Sequence, residues 1–231
     1  MVAASTLLTC LTIATTATSA ASQDMGTLLA ASMRICLDER IVFAEKIDAM
    51  RDLGWVDLVE ANEFSAAKRA FADGLVAVEF GGNAGYVKEA WHRSLRYDTS
   101  QAEAEDHRNG VDGSFSYGAE PLAYLRIARE SRFVAGKMAV FDGPSFCSFA
   151  FRDSIDPTPA LTNADAWQQD TPSKMGHYFL SRDVPNSNIS LLMAANIQPA
   201  SFLARVGETP TVLTFVTLYP KTQTAGGVDE N

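Results

Sequence analysis

The residues with most chemistry to offer are the three cysteines, Cys10, Cys36 and Cys147. Cys10 falls in MVAASTLLTCLTIATTATSAASQ (1–23), a stretch with no Lys, Arg, Asp or Glu. Its apolar run LLTCLTIA (7–14) gives way to Thr, Ser and Ala, so signal-peptidase cleavage after Ala20 or Ala21 leaves small residues where that enzyme reads them. A basic n-region is missing, since the first Lys or Arg is Arg34; a start codon further upstream would supply one. The apolar run is shorter than the ~20 residues a membrane-spanning helix needs. Leu7 stands before Cys10 as in a lipobox, but Thr9 is a poor residue ahead of a lipidated cysteine, and lipidation of Cys10 would require a longer precursor. The competing interpretation is a buried, Thr-rich N-terminal segment. Export to the periplasm or the cell exterior is expected.

Loss of residues 1–21 leaves Cys36 and Cys147. A pair of cysteines in an exported chain forms a disulfide, whereas in the reducing cytosol they would be two separate buried thiols. The disulfide is expected. Two cysteines make no structural zinc site by themselves, and without CxxC a redox role has no support.

The three histidines are His92, His107 and His177, none at HExxH or another ligand spacing. His107 follows Asp106 in a polar stretch with Glu103 and Glu105 nearby, so a carboxylate-supported histidine acting as a general base or metal ligand is conceivable there. A solvated loop histidine is the plainer alternative. His92 follows Trp91 on an expected helix, and His177 opens an expected edge strand. DHRNGVDG (106–113) lacks the ordered acidic spacing of a calcium loop. GGNAG (81–85) suits a turn, and without GxGxxG or GxxxxGK[ST] spacing it does not specify a phosphate loop. No GxSxG or SxxK nucleophile motif is present. NIS (188–190) meets the glycosylation pattern only formally if the chain is bacterial, as its composition suggests. No cofactor and no metal are expected.

The elements that would position these groups follow from periodicity. The chain has 231 residues, 47% of them hydrophobic, which suits one domain with its own core. Its net charge of −9 argues against a nucleic-acid binder and against docking to an anionic membrane. Residues 24–53 read as two helical pieces with Cys36 at their junction. Ile41, Ala44, Ile47 and Met50 form the stripe of the second, with Phe43 alongside; Asp38 is its expected cap and Gly54 its stop, with Trp55 folding back on Met50. A further helix is expected from Asn62 or Ser65 to Gly74. LVAVEF reads as a short strand, YVKEAWHRSL as a helix, 98–120 as a loop and PLAYLRIARESRF (121–133) as a short helix. From 133 onward, FVAGKMAVFDG, SFCSFAFRD, GHYFLSRD, NISLLMAANI and TVLTFVTLYPK read as strands of one antiparallel sheet. The aromatic set Phe141, Phe146, Phe149, Phe151, Tyr178, Phe179, Phe202, Phe215 and Tyr219 reads as sheet core, with a ligand groove as the alternative.

The expected organisation is a signal peptide at 1–21, one α+β domain at 22–220 and a flexible tail at 221–231. Within the domain, N-terminal helices (24–133) pack on one face of a C-terminal antiparallel sheet (133–220). The expected role is non-enzymatic binding of a protein or small molecule. The alternatives are a hydrolase or metal-assisted enzyme built on His107 with Asp106 or Glu105, and a structural or assembly subunit.

Overall fold

The computed structural model describes residues 17–80, 112–134, 137–157, 171–173, 176–182 and 188–221. The chain is α+β. Among the described residues, helices α1 (Ala17–Leu37), α2 (Phe43–Asp52), α3 (Ala61–Phe80) and α4 (Pro199–Val206) pack on strands β1 (Val56–Asp57), β2 (Asp112–Tyr117), β3 (Ala123–Val134), β4 (Lys137–Phe151), β5 (Thr171–Ser173), β6 (Gly176–Arg182), β7 (Ile189–Ile197) and β8 (Thr214–Pro220). The strands form one eight-stranded sheet in the order β1-β2-β3-β4-β8-β7-β6-β5, and every neighbouring pair is antiparallel. Two meanders therefore meet at the β4–β8 seam, where Cys147 opposes Leu218 and Phe149 opposes Val216.

Alternation along the strands assigns the two faces. Leu125, Ile127, Cys147, Phe149, Val216 and Leu218 point to the face covered by α1 and α2. Tyr124, Ala150, Met193, Ala195 and Phe215 point to the face covered by α3 and α4. The helices thus occupy both faces rather than the single face expected from their order in the chain. A register shift between Ile189 and Leu191 puts Ile189 on the same face as Leu192 and Ala194. A second irregularity, around Arg129 in β3, faces Pro144, which has no N–H to give the ladder.

Helix α1 buries Met25, Leu28, Leu29, Ser32, Met33 and Cys36, a stripe at spacings of three and four. Helix α2 ends as its sequence predicts. Gly54 takes φ 93°, and the N–H of Trp55 returns to the carbonyl of Met50 at 3.2 Å. Its start differs from expectation. Asp38 does not cap it; Asp38 accepts from the Arg40 backbone at 3.0 Å and the Arg40 guanidinium at 2.8 and 2.6 Å. Those bonds, the Arg40 side chain first, hold the Asp38 carboxyl well below its usual range. Glu45 instead reaches back to the Val42 N–H at 3.1 Å. The buried positions of α2 are Phe43, Lys46 and Met50, so the core stripe includes a lysine and leaves Ala44 exposed.

Four other elements depart from the sequence expectation. Helix α3 runs through Gly74 to Phe80, so LVAVEF continues a helix and is not a strand. A Cβ at Gly74 would collide with the Phe215 ring, so this glycine permits close helix–sheet approach rather than ending the helix. DGSFSY is β2 rather than loop, and residues 123–134 are β3 rather than helix. FVAGKMAVFDG supplies the end of β3 and the start of β4, with Val134 pairing Lys137. Helix α4 lies between β7 and β8 and was not anticipated; Pro199 opens it and Gly207, at φ 83°, closes it.

Candidate functional site

The sequence candidates divide by location. His92, His107, Asp106, Glu103, Glu105 and the GGNAG turn lie outside the described residues, as do positions 222–231. Of the acidic stretch 106–113, Asp112 and Gly113 belong to β2, where Asp112 accepts from Arg126 at 2.7 Å. His177 is in β6 but not at the sheet edge, because β6 pairs with both β5 and β7. Among the described residues, no group of three or more His, Cys, Asp or Glu side chains is arranged to hold a metal ion. Nor, among them, is any helix long and apolar enough to cross a membrane. The described aromatic residues are divided between the two faces, with Phe149 and Phe151 on one and Phe202 and Phe215 on the other.

Cys36 and Cys147 are brought together. They form a disulfide with a Cα–Cα distance of 6.6 Å across a sequence separation of 111 residues. Both are buried, at 1% and 0% exposure. The bond joins the last turn of α1 to a strand at the middle of the sheet.

Next to it lies a polar contact that no local sequence pattern signals. Lys46 is 2% exposed. Its Nζ donates to the carbonyls of Ile35 at 2.9 Å, Cys36 at 3.1 Å and Asp38. A helix C-terminus leaves carbonyls without intrahelical partners, and the ammonium satisfies them at the end of α1. Burial pushes the Lys46 pKa down, against the pull of the Asp38 and Glu39 charges.

A groove of about 890 Å³ lies at the β1 end of the sheet, on the α3 side. Two glycines at positive φ shape it. Gly54 leads into β1, and Gly118, at φ 89°, turns β2 into β3 with the Leu122 N–H returning to the Tyr117 carbonyl at 2.8 Å. Tyr117 forms part of the wall and stands edge-on to buried Trp55, ring centroids 5.6 Å apart. Trp55 is anchored from behind by its indole N–H to Ser32 Oγ at 2.9 Å. Tyr124, Ser116 and Leu58 line the groove from the sheet, Asn62, Glu63 and Ala66 from α3, and Arg152 from the end of β4. Glu63 accepts from the N–H groups of Glu60 at 2.9 Å and Val59 at 2.8 Å. These bonds, Glu60 first, hold its carboxyl below the usual range and keep it ionised. The groove therefore carries a fixed carboxylate, an exposed guanidinium, two phenols, the Asn62 amide and the Ser116 hydroxyl among its apolar lining residues.

Its rim is not built to accept an added strand. Leu58 N–H donates to the Ser114 carbonyl at 3.0 Å, so antiparallel alternation turns Val56 toward β2 and Asp57 away from it. One outward residue offers little ladder. Arg51 clamps the Asp57 carboxylate at 2.8 and 3.1 Å, placing charge on that edge.

Comparison with known proteins found no matching family model, curated protein or solved structure. The sequence missed the groove because residues 121–133 read as a helix. The alternation of Tyr124, Arg126 and Ala128 against Leu125 and Ile127 was the signal available.

Proposed function

We propose that this chain is an exported binding protein that holds a small organic molecule or a short peptide in the groove beside β1, without converting it chemically. The groove is the observation that carries the binding role. Its volume of about 890 Å³ lies in the range of ligand pockets, and polar and charged groups from the sheet, α3 and the end of β4 stand beside apolar ones in its lining. Tyr117, half-buried at the wall, offers an aromatic ring and a hydroxyl; Glu63 and Arg152 offer opposite charges to a zwitterionic or hydrogen-bonding ligand.

Export is supported by the leader pattern and by the disulfide, a bond that persists in oxidising compartments. Cleavage after Ala20 or Ala21 leaves Met25 and the rest of the buried α1 stripe in the mature chain.

Ala66 lines the groove and is exposed, so Ala66→Trp fills the groove without entering the core. A panel of dipeptides, tripeptides, saccharides and organic acids is screened by saturation-transfer NMR against wild type and this variant. Groove ligands are expected to lose at least about tenfold in affinity, or about 1.4 kcal/mol, while the melting temperature is retained. Ligands that bind both proteins equally, or a panel with no ligand for wild type, would contradict the proposal.

A further inference from the structure

The groove beside β1 presents opposite charges at two corners, and the strand register sets how far apart they stand. Glu63 is fixed at one corner, where its carboxylate accepts from the N–H groups of Val59 and Glu60 at 2.8 and 2.9 Å. Val59 directly follows Leu58, whose N–H donates to the Ser114 carbonyl, so this corner lies by β1 at the level of Ser114. Arg152 holds the other corner. It follows Phe151, which pairs with Ala123, and Ala123 in turn pairs with Tyr117. The Arg152 N–H donates to the Leu122 carbonyl at 2.9 Å, one position beyond that row. Alternation past Ala150 turns the Arg152 side chain to the α3 face, where it lines the groove. Among the described residues, neither Glu63 nor Arg152 is in an ion pair with another side chain.

From β1 to β4 is three strand spacings, or about 14 Å. From the level of Ser114 to one position past Tyr117 is four residues, or about 13 Å along the strands. The two corners therefore stand about 19 Å apart on the diagonal. The Arg152 side chain, five bonds of about 1.5 Å from Cα to Cζ, recovers about 7 Å at full reach. About 12 Å remains between the opposite charges. An extended residue spans about 3.5 Å, so a free amino acid falls well short and three or four residues match.

The surface under that diagonal suits a peptide with uncharged side chains. Val56, Ser116 and Tyr124 form one cross-strand row midway between the corners. Leu58, Ala66 and Pro121 supply apolar contact, and the Asn62 amide both donates and accepts, as a peptide group requires of its partner. We infer that the ligand of this groove is a peptide of three or four residues with free ends, its ammonium on Glu63 and its carboxylate on Arg152. The assignment rests on the groove as the binding site and narrows its ligand: organic acids lack the ammonium, and neutral saccharides lack both charges.

The test is NMR titration of the full chain at neutral pH with alanine, dialanine, trialanine and tetraalanine. Affinity is expected to rise at least about tenfold from dialanine to the better of the two longer peptides, reaching a Kd below about 1 mM. N-acetylation and C-terminal amidation of that peptide are each expected to weaken it about tenfold. Glu63→Gln removes the charge but keeps a side-chain carbonyl for the Val59 and Glu60 N–H groups. It is expected to weaken the free peptide about tenfold and the acetylated peptide less than about twofold. Arg152→Gln is expected to act in the same way on the free and amidated peptides. Blocked ends that bind as tightly as free ones, alanine that binds as tightly as the longer peptides, or Glu63→Gln weakening free and acetylated peptides alike would each overturn the inference. If saccharides or organic acids bind, are lost in Ala66→Trp, and the alanine series shows no dependence on its ends, this inference fails and the groove remains a binding site. If no ligand of either kind binds, both fail.

Discussion

Reduction of the Cys36–Cys147 bond is expected to lower the melting temperature by about 10–15 °C, the largest change in this protein from breaking one bond. The bond closes a loop across 111 residues, so it removes many conformations from the unfolded chain. The chain-entropy model gives such a crosslink about 4–5 kcal/mol. A domain of this size shifts by about 2–4 °C per kcal/mol. The double variant Cys36→Ala/Cys147→Ala should melt where the reduced wild type melts, and reoxidation should restore only the wild type. Calorimetry with and without reductant reads both effects. Equal melting temperatures for oxidised and reduced protein would show that the bond does not constrain the unfolded state.

Lys46→Met is expected to cost about 3 kcal/mol, or about 6–12 °C in melting temperature. Methionine keeps most of the apolar stem but offers no donor to the carbonyls of Ile35, Cys36 and Asp38. Buried carbonyls that lose a charged donor are costly, even though an ammonium no longer has to be desolvated. Amide exchange at residues 35–40 should rise with the loss of the helix end. The pH dependence has a definite sign. The folded pKa of Lys46 lies below its unfolded value of 10.5, so between the two the unfolded state binds more protons. In that alkaline window this lysine raises the stability of the wild type as pH increases, and the variant lacks that rise. A variant melting within about 1 °C of wild type would mean that water or neighbouring N–H groups serve those carbonyls equally well.

What the sequence revealed depended on how local each signal was. The end of α2 was legible because one glycine and the aromatic residue after it complete the cap within a few positions. The disulfide was legible because cysteines are few and the uncharged, apolar start of the chain raised the expectation of an oxidising compartment. The strands from Lys137 to Pro220 were legible in outline from their β-branched and aromatic runs. β3 was not, because its Ala, Leu and Arg content favours helix, and pairing with β2 and β4 overrides that preference. Gly74 misled for a related reason: the Phe215 ring that requires it lies 141 positions away in the chain. Lys46 reads as a surface residue until the carbonyls at the end of α1 arrive beside it. The groove draws on β1, the β2–β3 turn, α3 and the end of β4, and no local window contains it.

We propose that the mature protein is an exported chain stapled between α1 and β4. The most direct measurement is the intact mass of protein from its native host, denatured in the presence of an alkylating agent with and without prior reduction. The expected species begins at Ala21 or Ser22, takes up no alkyl group before reduction and takes up two after it. A chain that retains its first twenty residues and alkylates at Cys36 and Cys147 without reductant would rule out both export and the staple.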